Sequence, residues 1–126
     1  MAFNHHEWYL KNKKRVLEAR HRNYWTNRER ECLARRNRYF RSRLRVLIHY
    51  SGKPPFCKCC REERIEFLSV DHTRGGGRKH RKEIRGGAGS FYRWLEKNNF
   101  PEGFTILCHN CNLSKGFYGY CAHWFP

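Results

Sequence analysis

The chain has 126 residues, and its 27 Lys and Arg against 11 Asp and Glu give a formal net charge of +16. No apolar stretch approaches the roughly 18 residues that a membrane-spanning helix needs, and an aromatic content of 16% argues against wholesale disorder. Such a charge disfavours an enzyme of small metabolites. It favours a nucleic-acid partner, which we expect to be DNA, with RNA as the alternative. We expect no membrane partner.

The N-terminal part of the chain predicts a long basic helix, because residues 9–50 contain neither Gly nor Pro. Tyrosines and arginines recur at intervals of 15 residues, at Tyr9, Tyr24 and Tyr39 and at Arg15, Arg30 and Arg45. Fifteen residues are about four helical turns, so the repeats return near one face. We interpret this helix as an arm whose arginines contact phosphates. The alternative is an amphipathic helix whose aromatic side chains pack on a neighbouring domain.

The composition changes near residues 51–55, which divides the chain into an arm at 1–51 and a domain at 52–126. All ten Gly, all four Pro and six of the seven Cys follow this boundary. No secretory signal precedes it, so we expect a reducing, cytoplasmic location in a bacterial or phage-infected cell rather than secretion.

Two Cys-x-x-Cys pairs predict a structural zinc site. Each pair can turn two thiolates towards one ion, and the four together complete a tetrahedron. The ligands assigned are Cys57, Cys60, Cys108 and Cys111. Redox-active or free cysteines are the alternative.

The remaining cysteines are less informative. Cys59, Cys121 and His123 either form a second metal site or are a buried thiol and surface groups, and the sequence leaves both open. Cys32 lies within the predicted helix, where we expect it to act as a small apolar residue.

The segment that follows the first cysteine pair predicts two strands and two helices. The run Ile65–Val70 predicts a strand that ends at Asp71 and His72. The other predicted elements are a helix at Phe91–Asn98 with Ser90 as its N-cap, a strand at Phe104–Leu107 and a short helix that begins at Cys111 and stops at Gly116.

Three side chains in this segment suit phosphodiester hydrolysis. His72 can act as a base at neutral pH. Asp71 and Asn112 offer oxygen ligands for Mg²⁺ or Mn²⁺. Cationic side chains that could hold the substrate backbone are Arg74, Arg78, Lys79, His80, Arg81, Lys82 and Lys115. His80 is also a candidate for a third group in the active site.

The domain resembles the HNH, or ββα-metal, endonucleases, and particularly the zinc-containing phage members and those similar to recombination endonuclease VII. The resemblance covers about residues 54–123. It rests on the stretches Cys57–Cys60, Glu66–Gly77, Phe91–Leu95, Phe100–Phe104 and Leu107–Gly116. It implies an α+β fold in which a zinc-bound ββα-metal (His-Me finger) domain follows the helical arm.

The resemblance also implies roles for individual residues. His72 would be the general base, Asp71 and Asn112 would hold a single magnesium ion, and the four cysteines would hold zinc. Asn112 departs from the histidine that many HNH enzymes carry at this position and matches the members similar to endonuclease VII. The expected function is a metal-dependent DNA endonuclease, for which a homodimer would supply two active sites. The alternative is a catalytically silent, zinc-stabilised protein that binds DNA or RNA, for example in a ribonucleoprotein.

Overall fold

The computed structural model describes residues 2–125, together with the side chains of all of these except Ala88. The protein is α+β and mostly helical, with one two-stranded antiparallel sheet, β1-β2. In chain order the helices and strands are α1 (His5–Ser51), β1 (Leu68–His72), α2 (Gly77–Ile84), α3 (Ala88–Lys97), β2 (Phe104–Cys108) and α4 (His109–Tyr118). Single 3-10 turns lie at Ile65–Phe67 and Ala122–Trp124. Within the described chain, no helix has both the length and the apolar character needed to cross a bilayer.

Helix α1 confirms the long helix predicted at 9–50. It begins earlier because the Asn4 side-chain oxygen accepts hydrogen bonds from the backbone N–H groups of His6 and Glu7, at 3.1 and 3.2 Å. It ends where Gly52 adopts a φ of +133°, a conformation that favours glycine. The Ser51 hydroxyl closes this end, accepting from the Phe56 N–H at 3.0 Å.

The chain divides into two compact units, the first ending at Asn37 and the second beginning at Arg38. Between residues 2 and 37 no side chain is buried, and Arg15 and Arg30 are exposed. Cys32 lies within the helix, as expected, and is exposed. The predicted division at 51 and 52, and the role of the arm, stay predictions.

In the second unit, the core lies on one face of the sheet. Side chains alternate along a strand, so Leu68 and Val70 share a face with Ile106 of β2. These three are buried together with Leu47 of α1 and Leu95 of α3. Burial of large aliphatic side chains, at about 1.5–3 kcal/mol each, stabilises the packing of these elements on the sheet.

Polar contacts also hold the last turns of α1 in the second unit. The Arg43 side chain is buried and donates hydrogen bonds to the carbonyl oxygens of Ile65 and Leu68. Glu96 of α3 accepts from Ser42 and from Arg45, each at 2.5 Å. Arg45, a predicted phosphate contact, therefore already has a carboxylate partner.

Four local predictions need correction. The strand predicted from Ile65 begins at Leu68, because a 3-10 turn precedes it, and it includes Asp71 and His72. Helix α3 begins at Ala88 with Gly87 as its N-cap, so Ser90 lies inside the helix. Helix α4 begins at His109, before the predicted Cys111. It also continues through Gly116 to Tyr118. Gly119 caps it with a φ of +77° and donates its N–H to the Lys115 carbonyl oxygen.

Candidate functional site

Two tight turns bring four cysteines together. Cys57 and Cys60 lie in the loop after α1, where the Cys60 N–H donates to the Cys57 sulfur at 3.5 Å. Cys108 is the N-cap of α4, and its sulfur accepts from the Cys111 N–H at 3.4 Å. Their four sulfurs lie within 4.8 Å of one another. This cluster could hold a metal such as zinc, for which bonds of about 2.3 Å place tetrahedral sulfurs about 3.8 Å apart.

Hydrogen bonding opposes the effect of burial on the pKa of one of these thiols and reinforces it on another. Burial raises the pKa of Cys57, but hydrogen bonds from the backbone of Cys60, Cys108 and Cys59 outweigh it and lower the pKa to about 7. Burial raises the pKa of Cys111, and its thiol neighbours, Cys108 first, raise it further. Cys57 is therefore more readily ionised than Cys111 at neutral pH. The thiolate is the form that binds metal, so Cys57 is the better prepared of these two ligands.

A second group of ligands adjoins the first. His123 directs Nδ1 towards the sulfurs of Cys121, Cys111 and Cys59, at 3.3, 3.4 and 4.0 Å. The four ligand atoms again lie within 4.8 Å of one another, and Cys111 belongs to both groups. By contrast, His109 points Nε2 towards the carbonyl oxygen of Glu66, at 3.3 Å. The sequence indicated Cys59, Cys121 and His123 as one alternative for a second site but did not indicate that Cys111 belongs to it.

His72 ends β1 beside two other aromatic side chains. Its ring stacks on Phe91, with centroids 5.6 Å apart, and meets Phe104 edge-on at 4.8 Å. Its Nε2 lies 2.9 Å from Nδ1 of His80, so one of the two nitrogens donates to the other. Burial lowers the pKa of His72, and repulsion by His80 when it is charged and by Arg81 lowers it further, against the opposing effect of Asp71. The neutral imidazole is therefore favoured at neutral pH.

Space beside His72 depends on Gly77, the first residue of α2. A Cβ at this position would lie 2.9 Å from the Nδ1 atom of His72. Its φ is not in the left-handed region, so the glycine serves the close approach rather than the backbone conformation. The sequence did not indicate this close approach.

Helix α4 directs polar side chains to the face of the sheet opposite the core. The Lys115 ammonium forms an ion pair with Oδ2 of Asp71 and lies 3.5 Å from the His72 carbonyl oxygen. One turn earlier, the Asn112 amide donates to the Ser69 hydroxyl at 3.1 Å. The spacing of Asn112 and Lys115 along a helix could have placed both on this face. The sequence did not indicate the partner of Lys115.

The predicted catalytic residues lie together. A groove of about 540 Å³ is lined by Val70, Asp71, His72, Gly75, Gly77, Arg78, Arg81, Lys82 and Asn112. Of the other predicted substrate contacts, Arg74 and Lys79 are exposed beside it. His80 is half-buried and packs edge-on against Trp94, with ring centroids 4.3 Å apart.

Comparisons of the chain with protein-family models, with curated proteins and with solved structures gave no match.

Proposed function

We propose that the protein is an HNH-type, ββα-metal endonuclease that hydrolyses DNA phosphodiester bonds with His72 as general base. The observation that carries the proposal is the groove in which Asp71, His72 and Asn112 meet, with Arg78 and Arg81 beside them. A base, hard oxygen donors and cationic side chains are the parts that this reaction needs. The order β1, β2, α4 supports the ββα-metal assignment.

The contacts of His72 support its role as the base. When Nδ1 of His80 accepts the Nε2 proton of His72, the Nδ1 lone pair of His72 is left free. This nitrogen lies beside Gly77, whose missing side chain leaves space for a water molecule. His72 takes a proton from that water as its oxygen attacks phosphorus. The bond from phosphorus to the 3′ oxygen breaks, and a second water protonates the leaving oxygen, giving 3′-hydroxyl and 5′-phosphate ends.

Asp71 and Asn112 would hold Mg²⁺ or Mn²⁺. Carboxylate and amide oxygens are the donors that these hard cations prefer, and both side chains line the groove. Lys115 now pairs with Asp71, so the ion would take the place of the ammonium at this carboxylate. When bound, the ion supplies charge that stabilises the scissile phosphate and the leaving oxygen. Arg78, Arg81 and Lys82 would hold the flanking phosphates.

The four cysteines would hold a structural zinc ion. It would connect the loop after α1 to the start of α4 through Cys57 and Cys60 on one side and Cys108 and Cys111 on the other. Because Asn112 directly follows Cys111, this connection would fix where Asn112 enters the groove. Zinc in this role contributes to folding rather than to the reaction.

A plasmid-cleavage assay with Mg²⁺ or Mn²⁺ tests the proposal. Wild-type protein is expected to nick or linearise the plasmid, and the ends should be religated by a ligase that requires 5′-phosphate and 3′-hydroxyl. His72→Ala is expected to lose about 10²–10⁴-fold in rate, the contribution typical of a general base. It should keep its zinc and its affinity for DNA. An unchanged rate in this variant would contradict the assignment of His72.

One observation favours a second function, a silent nucleic-acid-binding protein with the same fold. Lys115 already neutralises Asp71, as it would in a groove that no longer binds a cation. Such a protein would bind DNA or RNA without cutting linear or branched substrates under any divalent metal. Binding of Mn²⁺ separates the two functions. An endonuclease binds Mn²⁺ in the groove, and its Asp71→Asn variant loses that binding. For a silent protein, wild type and Asp71→Asn should bind Mn²⁺ equally.

A further inference from the structure

The second group of ligands has the composition and spacing of a metal site of its own. We propose that Cys59, Cys111, Cys121 and His123 hold a second zinc ion, joined to the first through the Cys111 sulfur, which would bind both ions. The result is a two-zinc cluster with a single bridging thiolate. The proposal is independent of whether the groove cuts DNA.

The distances around His123 match a tetrahedral site. With Zn–S bonds of about 2.3 Å and Zn–N bonds of about 2.0–2.1 Å, the ligand nitrogen lies about 3.6 Å from each sulfur. Nδ1 of His123 lies 3.3, 3.4 and 4.0 Å from the sulfurs of Cys121, Cys111 and Cys59. A single hydrogen bond would need only one of these three sulfurs near the imidazole nitrogen. Three sulfurs around the same nitrogen are what a shared ion requires.

Cys111 is placed to serve both ions. It belongs to both groups of four ligands, so seven side chains supply the ligands that two tetrahedral ions sharing one sulfur would need. A thiolate sulfur has lone pairs enough to bind two cations. Cys111 is also fully buried, so protein ligands rather than water surround its sulfur.

The charges of the second site balance. Cys59 and Cys121 each lose a proton to solvent when they bind, and their two negative charges offset those of one Zn²⁺ ion. His123 binds as a neutral imidazole, and the Cys111 thiolate is already counted in the first site. The second ion therefore leaves the net charge of the first centre unchanged, so it adds no uncompensated charge beside buried cysteines.

The second ion would tie the end of the chain to the first cysteine loop. Cys121 and His123 flank the start of the last 3-10 turn, whereas Cys59 lies in the loop after α1. The protein contacts that hold this segment include hydrogen bonds from Ser114 to the Tyr120 carbonyl and from the Ala122 N–H to Ser114, at 3.3 and 3.1 Å. His123 is exposed, so chelators should reach this ion before the first.

Native mass spectrometry after saturation with Zn²⁺ and removal of excess metal tests the stoichiometry. Wild-type protein is expected to retain two zinc ions per chain, and Cys59→Ser/Cys121→Ser one, with the far-ultraviolet circular dichroism preserved. His123→Ala should lose its second ion to a mild chelator faster than wild type does. His109→Ala is the matched control, since His109 contacts a carbonyl oxygen, and should behave as wild type. A single zinc ion in the wild-type protein would overturn the proposal.

Cadmium substitution tests the bridge without any variant. Protein loaded with ¹¹³Cd²⁺ is expected to give two ¹¹³Cd resonances, each split by the other through the shared sulfur. Two resonances without this coupling would contradict the bridge, and one resonance would contradict the second site. Neither readout depends on cleavage of DNA, so loss of the nuclease proposal and loss of the second zinc site can be told apart.

Discussion

The cluster of Cys57, Cys60, Cys108 and Cys111, here the cysteine centre, and the groove beside His72, here the histidine groove, lie towards opposite ends of the same pair of strands. At one end Cys108 pairs with Leu68, and at the other His72 pairs with Phe104. The cysteine centre is assembled largely from two short turns, each fixed by N–H contacts to sulfur within a few residues. The groove draws instead on β1, α2 and α4, which meet only when the second unit is packed. The first region is therefore suited to stabilising the fold and the second to chemistry that depends on it.

The largest effect should come from breaking the cysteine centre. Cys108→Ser removes one of the four proposed zinc ligands while it keeps a side chain that can cap α4, and we expect loss of zinc and unfolding of the second unit. A structural zinc ion contributes on the order of 10 kcal/mol, which is comparable to the whole unfolding free energy of a small domain. Zinc analysis and thermal melting measure the effect. Cys32→Ser, at an exposed position, is the control, and a folded Cys108→Ser protein without zinc would show that the centre is not structural.

Filling the space beside His72 should break the groove while the cysteine centre stays intact. In Gly77→Ala the added Cβ would lie 2.9 Å from Nδ1 of His72, where the proposed mechanism needs the attacking water. We expect single-turnover cleavage to fall by about 10²-fold, the cost of a small misplacement of reacting groups. Zinc content should not change.

Gly116→Ala is the matched control for this substitution. Gly116 lies inside α4, and an added Cβ there meets no atom within 4 Å. Alanine should stabilise the helix by about 0.5–1 kcal/mol without affecting cleavage. Equal losses of activity in the two variants would show that Gly77 has no special role beside His72.

The arm provides a smaller effect, on binding rather than on cleavage. If Arg15 and Arg30 contact phosphates, replacing both with Gln should reduce the slope of log K against log salt by about two. Arg45 occupies the same phase of the repeat but is paired with Glu96, so Arg45→Gln should change the slope less. Fluorescence anisotropy with duplex DNA at several salt concentrations measures both. A slope unchanged by the double substitution would remove the arm from the interface.

The smallest effect concerns the contact between α1 and α3. Burial raises the pKa of Glu96, but hydrogen bonds from Arg45 and Ser42 outweigh it and hold the pKa below its ordinary value of 4.5. A lowered carboxyl pKa adds stability above the ordinary value, and that stability is lost as the pH falls through the folded-state pKa. Glu96→Gln should therefore cost about 1 kcal/mol at pH 7 and less in acid, as urea unfolding at each pH would measure. A cost that does not change with pH would exclude the carboxylate as its source.

Much of this organisation could be predicted, because it depends on local chemistry. The absence of Gly and Pro predicted α1, and the spacing of the Cys-x-x-Cys pairs predicted the cluster of Cys57, Cys60, Cys108 and Cys111. The meeting of Asp71 with Asn112 in one groove was also expected. The contrast between the cysteine centre and the histidine groove rests on the positions of these residues.

Contacts between distant segments could not be read in the same way. The approach of Cys59, Cys121 and His123 to Cys111 depends on how the last turn packs, and no spacing encodes it. The ion pair of Lys115 likewise depends on the register of α4 against β1. The helix at Gly77–Ile84 escaped prediction because its basic residues were interpreted only as substrate contacts.

The most direct test of the central claim measures zinc content and plasmid cleavage on the same preparations of wild type, His72→Ala and Cys108→Ser. We expect wild type to hold zinc and cut, His72→Ala to hold zinc without cutting, and Cys108→Ser to lose zinc, fold and cleavage together. Cleavage by His72→Ala at the wild-type rate, with its zinc retained, would contradict the account.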